Sequence, residues 1–311
     1  MRLSITILLS LLTLAVATPI WAAQPLLTAS ELHGIAENAN VRVIDIRPGE
    51  DYAAGHVPGA VSAPYPQWRG PADNPGALPP IADLTALVQS LGLADDTHAV
   101  VLSSGADAAD FGSSARVYWT LKYLGLSELS ILNGGFQAWQ EAGLSTNRGT
   151  PEIKPSDYEA QLNQNLLATT ADVAAQVDNP QTRLVDARPH NYYVGEIKAP
   201  TAALAGTIKN AINVENGVWF EPGTSTFVSA AQARRIAEQK LNQPADETIS
   251  FCNTGHWAAT DWFALSEVVG LDNVRLYATS LAEWSQDADL PMQNVPSRGT
   301  QILRKLKGII E

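Results

Sequence analysis

The amino-acid sequence predicts an α/β protein of two domains, each with a parallel sheet flanked by helices on both faces. Short apolar segments with the character of strands alternate with segments of helical period, an order typical of covered parallel sheets. The same order recurs in the second half of the 311-residue chain, whose length also favours two domains over one. Alternation and repetition together indicate two copies of one α/β unit.

The strands and helices of the first copy can be placed from the sequence. Residues 99–102 and 130–132 are short apolar segments that predict strands. Residues 115–123 and 136–142, which follow them, have helical period. Ligands of such sheets usually bind at the carboxyl ends of the strands, so the loops after the strands are the expected sites.

The two copies correspond in register as well as in order. An apolar strand ends in Asp-x-Arg at residues 45–47 and again at residues 186–188. In both copies a glycine is followed at the same distance by a tryptophan: Gly125 by Trp139, and Gly270 by Trp284.

The predicted bounds follow from this repeat. The first domain comprises residues 24–148 and the second comprises residues 165–295. Residues 149–164 between them contain two prolines and predict a linker. Residues 296–311 predict a C-terminal helix with a packing role, or alternatively with a role at a membrane surface.

The N-terminus has the pattern of a secretory signal peptide. Arg2 supplies the positive charge, residues 3–17 are apolar or small, and Ala23 ends the segment in small-residue style. The alternative is an uncleaved anchor, because this apolar segment could almost span a bilayer. We expect that residues 1–23 are removed and that the protein is periplasmic or secreted, with no membrane association afterwards.

The chain is acidic. It has 32 acidic and 20 basic residues, for a net charge of −12, and removal of Arg2 with the signal makes this −13. Nucleic acid and anionic membrane surfaces are therefore not expected as partners. A small anionic substrate would need a local positive potential that overcomes this background.

Cys252 is the single cysteine and the candidate nucleophile. It follows residues 248–251, which predict a buried strand, and precedes a polar loop and an apolar-periodic run at residues 258–269. Backbone N–H groups and the positive end of a helix dipole favour thiolate over thiol at such a turn. A lone cysteine in an exported protein is either a buried passenger or a reactive thiol, and the polar loop favours the second. The reactive interpretation requires a sulfur that is ionised and open to solvent.

These motifs resemble the two signatures of the rhodanese (sulfurtransferase) family. The first corresponds to Asp-x-Arg at residues 45–47, Tyr52 and the Gly-His-Val-Pro-Gly-Ala run at residues 55–60. The second corresponds to an apolar strand, Cys252 and a tight loop that opens a helix at Trp257. The pairing resembles tandem-domain rhodaneses in which only the second domain keeps the cysteine, here in an exported form. The resemblance therefore implies two rhodanese-like domains.

The first domain has the features of an inactive copy. Ser103 aligns with Cys252, and no histidine lies nearby in its loop to act as a base. The acidic side chains of Asp107 and Asp110 would repel an anion.

The resemblance implies a sulfurtransferase that works through a persulfide. Cys252 would take a sulfane sulfur from a small anionic donor, of the thiosulfate or 3-mercaptopyruvate type, and pass it to cyanide or to a thiol or protein acceptor. The expected substrate-binding residues share proximity to the cysteine loop: Asn253, Thr254, Gly255, His256, Trp257, Arg188 and Lys209. No metal and no cofactor is expected, because no Cys/His spacing matches a zinc cage.

Several roles within the loop have alternatives. Gly255 allows the backbone to curl closely, and Thr254 could donate its hydroxyl to the sulfur or cap the following helix. His256 could be an imidazolium beside the sulfur or a partly exposed loop histidine without a special role. Trp257 could pack in the interior or shape the entrance.

The sequence also departs from the family. The cysteine loop lacks the arginine or lysine that many rhodaneses carry, and Tyr192 stands where some two-domain relatives have a substrate arginine. These losses motivate an alternative function, a non-catalytic sulfur carrier or binding module loaded by a partner protein. A cysteine phosphatase is disfavoured, because that chemistry needs an arginine in the loop.

Overall fold

The computed structural model describes residues 23–241, 243–297 and 299–300. All of the predicted signal peptide (residues 1–23) except Ala23, and most of the predicted C-terminal helix (residues 296–311), lie outside the described residues. Within the described ranges, no helix combines the length and apolarity needed to cross a bilayer.

The first domain contains a five-stranded parallel sheet in the order β1-β5-β4-β2-β3. Its strands are β1 (Leu26–Leu27), β2 (Val41–Asp45), β3 (Val61–Ser62), β4 (His98–Leu102) and β5 (Leu129–Leu132). Its helices are α1 (Ala29–Ile35), α2 (Gly49–Ala54), α3 (Ile81–Ser90), α4 (Ala108–Leu124) and α5 (Gly135–Glu141), with a 3₁₀ helix at Tyr65–Trp68.

The second domain repeats this plan with a parallel sheet in the order β10-β9-β6-β8, and β7 and β11 form a separate antiparallel pair. Its strands are β6 (Thr182–Asp186), β7 (Thr207–Ile208), β8 (Ile212–Asn213), β9 (Glu247–Phe251), β10 (Val274–Leu276) and β11 (Met292–Gln293). Its helices are α6 (Thr170–Gln176), α7 (His190–Tyr193), α8 (Ala230–Lys240), α9 (Trp257–Phe263) and α10 (Ser280–Trp284), with a π-helix at Ala264–Val269 and 3₁₀ helices at Gln164–Leu166 and Asn216–Trp219.

Both faces of the sheets are covered, as the sequence predicts. Successive residues of a strand point to opposite faces, and Val100 and Val101 of β4 accordingly belong to different core clusters. Val100 packs with Leu32 of α1 and Trp139 of α5, whereas Val101 packs with Leu84 of α3. The predicted α/β class with helices on both faces is confirmed.

Helix α4 joins the two domains into one continuous core. Tyr118 of α4 packs against Phe263 of α9 with ring centroids 5.1 Å apart, and Trp119 and Trp262 belong to the same buried cluster. The predicted helix at residues 115–123 is too short, because α4 begins at Ala108. The loop therefore ends earlier than expected, and the first turn of α4 comes close to the second domain.

The predicted linker lies against the first domain. Residues 149–163 form neither helix nor strand, but the Ser156 N–H donates to the Gln89 carbonyl oxygen at 3.0 Å. The Tyr158 hydroxyl donates to the carbonyl oxygen of Leu124 at 2.8 Å. These contacts hold the connection along α3 and α4.

Candidate active site

The Asp-x-Arg motif closes the carboxyl end of β6 below the cysteine loop. Arg188 donates from Nε and Nη2 to the Asp186 carboxylate, at 2.9 and 2.6 Å, and from Nη2 to the Gly206 carbonyl oxygen at 2.7 Å. Its Nη1 reaches the Asn253 side-chain oxygen at 3.3 Å. Arg47 binds its own aspartate in the same way in the first domain. Arg188 thus supports Asn253, and its charge is already matched by a buried carboxylate.

Cys252 follows β9 at the carboxyl edge of the second sheet, as predicted. Its N–H donates to Ser280 Oγ at 3.0 Å, and its carbonyl oxygen accepts from the Leu281 N–H at 3.1 Å. The start of α10 therefore anchors the cysteine backbone. Only 1% of the residue is exposed, so this conformation does not meet the expectation of a sulfur open to solvent.

Ser280 anchors the backbone of Cys252, and its own backbone has an unfavourable conformation. Its φ is +53°, in the left-handed region where the first domain has Gly135 at +60°. The Ser280 hydroxyl accepts from the Cys252 N–H and donates to the Tyr277 carbonyl oxygen at 2.7 Å. A non-glycine residue in this region costs about 1–3 kcal/mol and is typical of functional sites. The hydroxyl therefore explains why serine is found here.

The N–H groups after Cys252 are available to an anion. In the described part of the chain, those of residues 254–258 have no hydrogen-bond acceptor, and none of them is bonded to the Cys252 sulfur. The expected cap from Thr254 is wrong, because His256 is the residue before α9 and no side chain caps that helix. Successive N–H groups without acceptors form a nest suited to negative charge.

Gly255 is required by both conformation and space. Its φ is +69°, and an added Cβ would lie 2.3 Å from the Ala278 carbonyl oxygen and 2.6 Å from Arg116 Nη1. The predicted need for glycine at this curl is consistent with the geometry, and the closest neighbours include a side chain of the first domain.

His256 is an uncharged residue that joins the loop to the first domain. Its Nε2 lies 2.7 Å from the Ala109 carbonyl oxygen and its Nδ1 lies 2.9 Å from the Tyr65 hydroxyl. Because a carbonyl only accepts, Nε2 carries the proton and Nδ1 accepts from Tyr65. Burial, and then the nearby charge of Arg69, lower the pKa of His256 to about 4. The imidazolium interpretation is therefore wrong, and the imidazole is neutral at physiological pH.

Two arginines of the first domain reach the cysteine loop, and sequence reasoning missed both. Arg69 donates from Nη2 to the Thr254 carbonyl oxygen at 2.9 Å. Arg116, which is fully buried in α4, donates from Nη2 to the Gly76 carbonyl oxygen at 2.8 Å and from Nη1 to that of Gly255 at 3.4 Å. The loop without a cation of its own is thus bordered by two cations from the other domain.

One sequence signal could have identified Arg116. It lies inside a helix whose neighbouring positions, Ala115 and residues 117–119, are apolar or aromatic. A charge on an otherwise buried helix face requires a partner or a function. Arg69 gives no comparable signal, because it lies in a polar, proline-rich segment.

The other predicted binding residues lie at different distances from the cleft. Lys209 is far from it, because its ammonium pairs with Asp178 at 2.7 Å before β6, at the opposite edge of the sheet from the cysteine loop. Its assignment to substrate binding is corrected accordingly. Trp257 is partly exposed at the start of α9 and packs edge-on against Tyr192 at 6.0 Å, next to the loop.

In the first domain, the loop that corresponds to the cysteine loop is occupied by the carboxylate of Asp110. The Gly105 N–H donates to Asp110 Oδ2 at 2.6 Å, and Asp107 caps α4 by accepting from the Asp110 N–H. A side chain therefore takes a backbone donor that would otherwise face an anion. Ser103 is buried at the position that Cys252 has in the second domain, and the inactivity of this copy stays a prediction.

Fold and site together define a tandem α/β protein in which one of two equivalent loops carries a cysteine. The sequence profile of the rhodanese-like domain matches residues 28–142 and again residues 169–287. The chain belongs to the rhodanese-like domain family and contains two such domains.

Curated relatives match the chain over most of its length. A probable 3-mercaptopyruvate sulfurtransferase of Pseudomonas aeruginosa is 30% identical over 293 residues, which cover 86% of this chain and 97% of that protein. A thiosulfate sulfurtransferase of the same organism is 29% identical over 253 residues, covering 81% and 90%. The crystal structure of SseA from Escherichia coli, a 3-mercaptopyruvate sulfotransferase, has a TM-score of 0.71 at 24% identity, over 83% of this chain and 99% of that chain. This last likeness concerns the fold.

Proposed function

We propose that this protein is a sulfurtransferase that carries a sulfane sulfur on Cys252 as a persulfide. The donor is a small anion of the thiosulfate or 3-mercaptopyruvate type, and the acceptor is a thiol, a protein thiol or cyanide. The class of reaction is that of the relatives named above, which match more than four fifths of the chain. The alternative, a sulfur carrier without turnover, becomes an outcome of the test.

One observation carries the proposal. Cys252 lies beside a run of five N–H groups, those of residues 254–258, that have no acceptor within the described ranges. The outer sulfur of a persulfide is anionic, and it extends beyond the cysteine sulfur by one covalent bond. The unbonded donors therefore suit the negative charge of the outer sulfur, which is present in the donor and remains in the persulfide.

The chemistry is a two-step transfer through a covalent intermediate. The Cys252 thiolate attacks the outer sulfur of the donor, the bond between this sulfur and the rest of the donor breaks, and its electron pair leaves with that remainder. For thiosulfate the remainder is sulfite. The acceptor thiolate or cyanide then attacks the outer sulfur of the persulfide, and the cysteine thiolate is regenerated. This order predicts ping-pong kinetics.

Access to the sulfur is part of the proposal. Because Cys252 is almost fully covered, the donor must enter by displacing partly exposed side chains that border the loop. Tyr65, Arg69 and Trp257 have this property. A small planar or tetrahedral anion is therefore preferred over a bulky donor.

The test is intact mass after incubation with thiosulfate and, separately, with 3-mercaptopyruvate. We expect a gain of one sulfur atom, which is assigned to Cys252 without mapping because the chain has one cysteine. Cys252→Ser is the matched control and should gain none. Loading by a partner protein but by neither small donor would favour the carrier, and no adduct with any sulfane donor would refute the proposal.

We propose further that the protein acts outside the cytoplasm after loss of residues 1–23. The support is the N-terminal pattern of Arg2 followed by an apolar segment. Expression of the full chain in a bacterium should give a periplasmic product lacking these residues, as measured by intact mass. Full-length protein in the membrane fraction would instead support an anchor.

A further inference from the structure

Two guanidinium groups of the first domain contact the cysteine loop and have no carboxylate partner among the described residues. Arg69 and Arg116 form no ion pair with any described acidic residue, although the structure contains six such pairs elsewhere in the described ranges. Each group uses hydrogen bonds to neutral oxygens only. A buried cation without an anion is costly unless a counter-charge arrives from elsewhere.

Of the two arginines, Arg116 is the more deeply buried and has the less complete hydrogen bonding. It is 0% exposed, and its Nε has no hydrogen-bond partner in the described structure. Burial, and then repulsion from Arg69, lower the pKa of Arg116 to about 9, which leaves the group charged at neutral pH. An ionised Cys252 acts in the opposite direction and raises this pKa. The sulfur is therefore within electrostatic reach of the guanidinium.

Arg69 has a different position. It is partly exposed, and it donates to the Tyr65 hydroxyl at 3.1 Å and to the Thr254 carbonyl oxygen at 2.9 Å. A guanidinium has five N–H donors, so most of its donors remain for a ligand. Burial raises the pKa of the Tyr65 hydroxyl, and an ionised Cys252 adds to this increase. Arg69 therefore borders the cysteine loop at a place that is partly exposed to solvent.

We propose that the first domain supplies the positive charge of the Cys252 site: Arg116 balances the thiolate and the persulfide, and Arg69 binds the anionic group of the donor. The second part rests on the proposed function, and the first concerns the sulfur alone. The arrangement explains how a loop without arginine or lysine works in an acidic protein. The inactive copy is then a positioning partner of the site, held to it through α4.

Other charged groups around Cys252 do not provide this charge. His256 is neutral for the reason given above, and Arg188 is paired with Asp186. No further arginine or lysine is hydrogen-bonded to residues 252–257 within the described ranges. Removing either first-domain charge should therefore have a visible effect.

The first experiment measures ionisation of the sulfur without any sulfur donor. The rate of Cys252 alkylation by iodoacetamide is recorded against pH for the full chain and for Arg116→Met, Arg116→Lys and Arg148→Gln. Loss of an opposite charge at close range should move the midpoint up by about one pH unit or more. Arg116→Lys keeps the charge and should move it much less. Arg148 is an exposed first-domain arginine bonded to the Ala54 carbonyl oxygen, so Arg148→Gln should leave the midpoint unchanged.

The second experiment measures donor binding. Arg69→Gln should raise the KM for persulfide loading by thiosulfate about tenfold, the loss expected for one charged hydrogen bond, with a smaller change in kcat. A folded Arg116→Met with an unchanged midpoint, even with slower alkylation at every pH, would overturn the first part. If Arg116→Met fails to fold, the result for Arg69→Gln becomes the test of the proposal. An unchanged KM for persulfide loading in Arg69→Gln would then overturn it. A shifted midpoint in a protein that never loads sulfur would refute the proposed function and leave the role of Arg116 standing.

Discussion

Replacing Gly255 by alanine tests whether the shape of the cysteine loop depends on the first domain. The added Cβ would lie 2.3 Å from the Ala278 carbonyl oxygen and 2.6 Å from Arg116 Nη1, and φ at this position is +69°. The left-handed conformation alone costs an alanine about 1–2 kcal/mol. The clash adds about 1–3 kcal/mol, because a backbone carbonyl and a buried guanidinium must both move. We therefore expect the free energy of unfolding to fall by about 2–5 kcal/mol.

Gly270→Ala is the matched control for the backbone part of this effect. Gly270 has φ of +83° at the other end of the same helical segment, and an added Cβ there meets nothing within 4 Å. It should cost only about 1–2 kcal/mol. Urea unfolding gives both free energies, and alkylation of Cys252 at fixed pH reports the effect on the sulfur. Equal stability losses in the two variants, together with unchanged alkylation in Gly255→Ala, would refute the reasoning.

Three further predictions concern the groups that hold the loop. Burial lowers the pKa of His256 from 6.5 to about 4. Between these pH values the unfolded chain holds a proton on this histidine that the folded protein does not, so the free energy of unfolding should rise with pH across this range. His256→Gln should flatten this rise in urea titrations, and an unchanged slope would contradict the assignment. Asp261 is fully buried, with Trp219 Nε1 donating to Oδ1, and burial raises the pKa of this carboxyl well above its usual value. Its protonated form therefore gives full stability below the ordinary aspartate pKa, and stability is lost as pH rises from there through the raised value. Asp261→Asn should match the original protein in acid and exceed it in stability near neutrality, and a deficit at neutral pH would show that the carboxyl is ionised. Ser280→Ala keeps the strained backbone and loses both hydroxyl hydrogen bonds, whereas Ser280→Gly relieves about 1 kcal/mol of strain. Thermal unfolding should rank the alanine variant below the glycine variant, and the reverse order would disprove the backbone strain. Both variants should load sulfur on Cys252 more slowly, and unchanged loading in both would disprove the role of the hydroxyl.

The cysteine loop shows how far sequence reasoning could go. Its place after a strand and before a helix followed from local pattern, because apolar strands and helical period are written in adjacent residues. The Asp-x-Arg pairs followed for the same reason, since their partners are two positions apart. Lys209 was misplaced, because the path of residues 195–211 across the domain has no periodic signal. The charge state of His256 was open in the sequence, since it depends on burial by α4.

The sequence by itself determined the class of fold, the repetition of one unit and the position of the single thiol. These depend on interactions within one domain and on residues close together along the chain. Only the tertiary structure decided the environment of that thiol: the burial of Cys252, a neutral His256, and the guanidinium groups of Arg69 and Arg116 at its loop. These neighbours come from the packing of α4 and the adjoining segment against the second domain, and contacts across more than a hundred positions leave no periodic mark in the sequence.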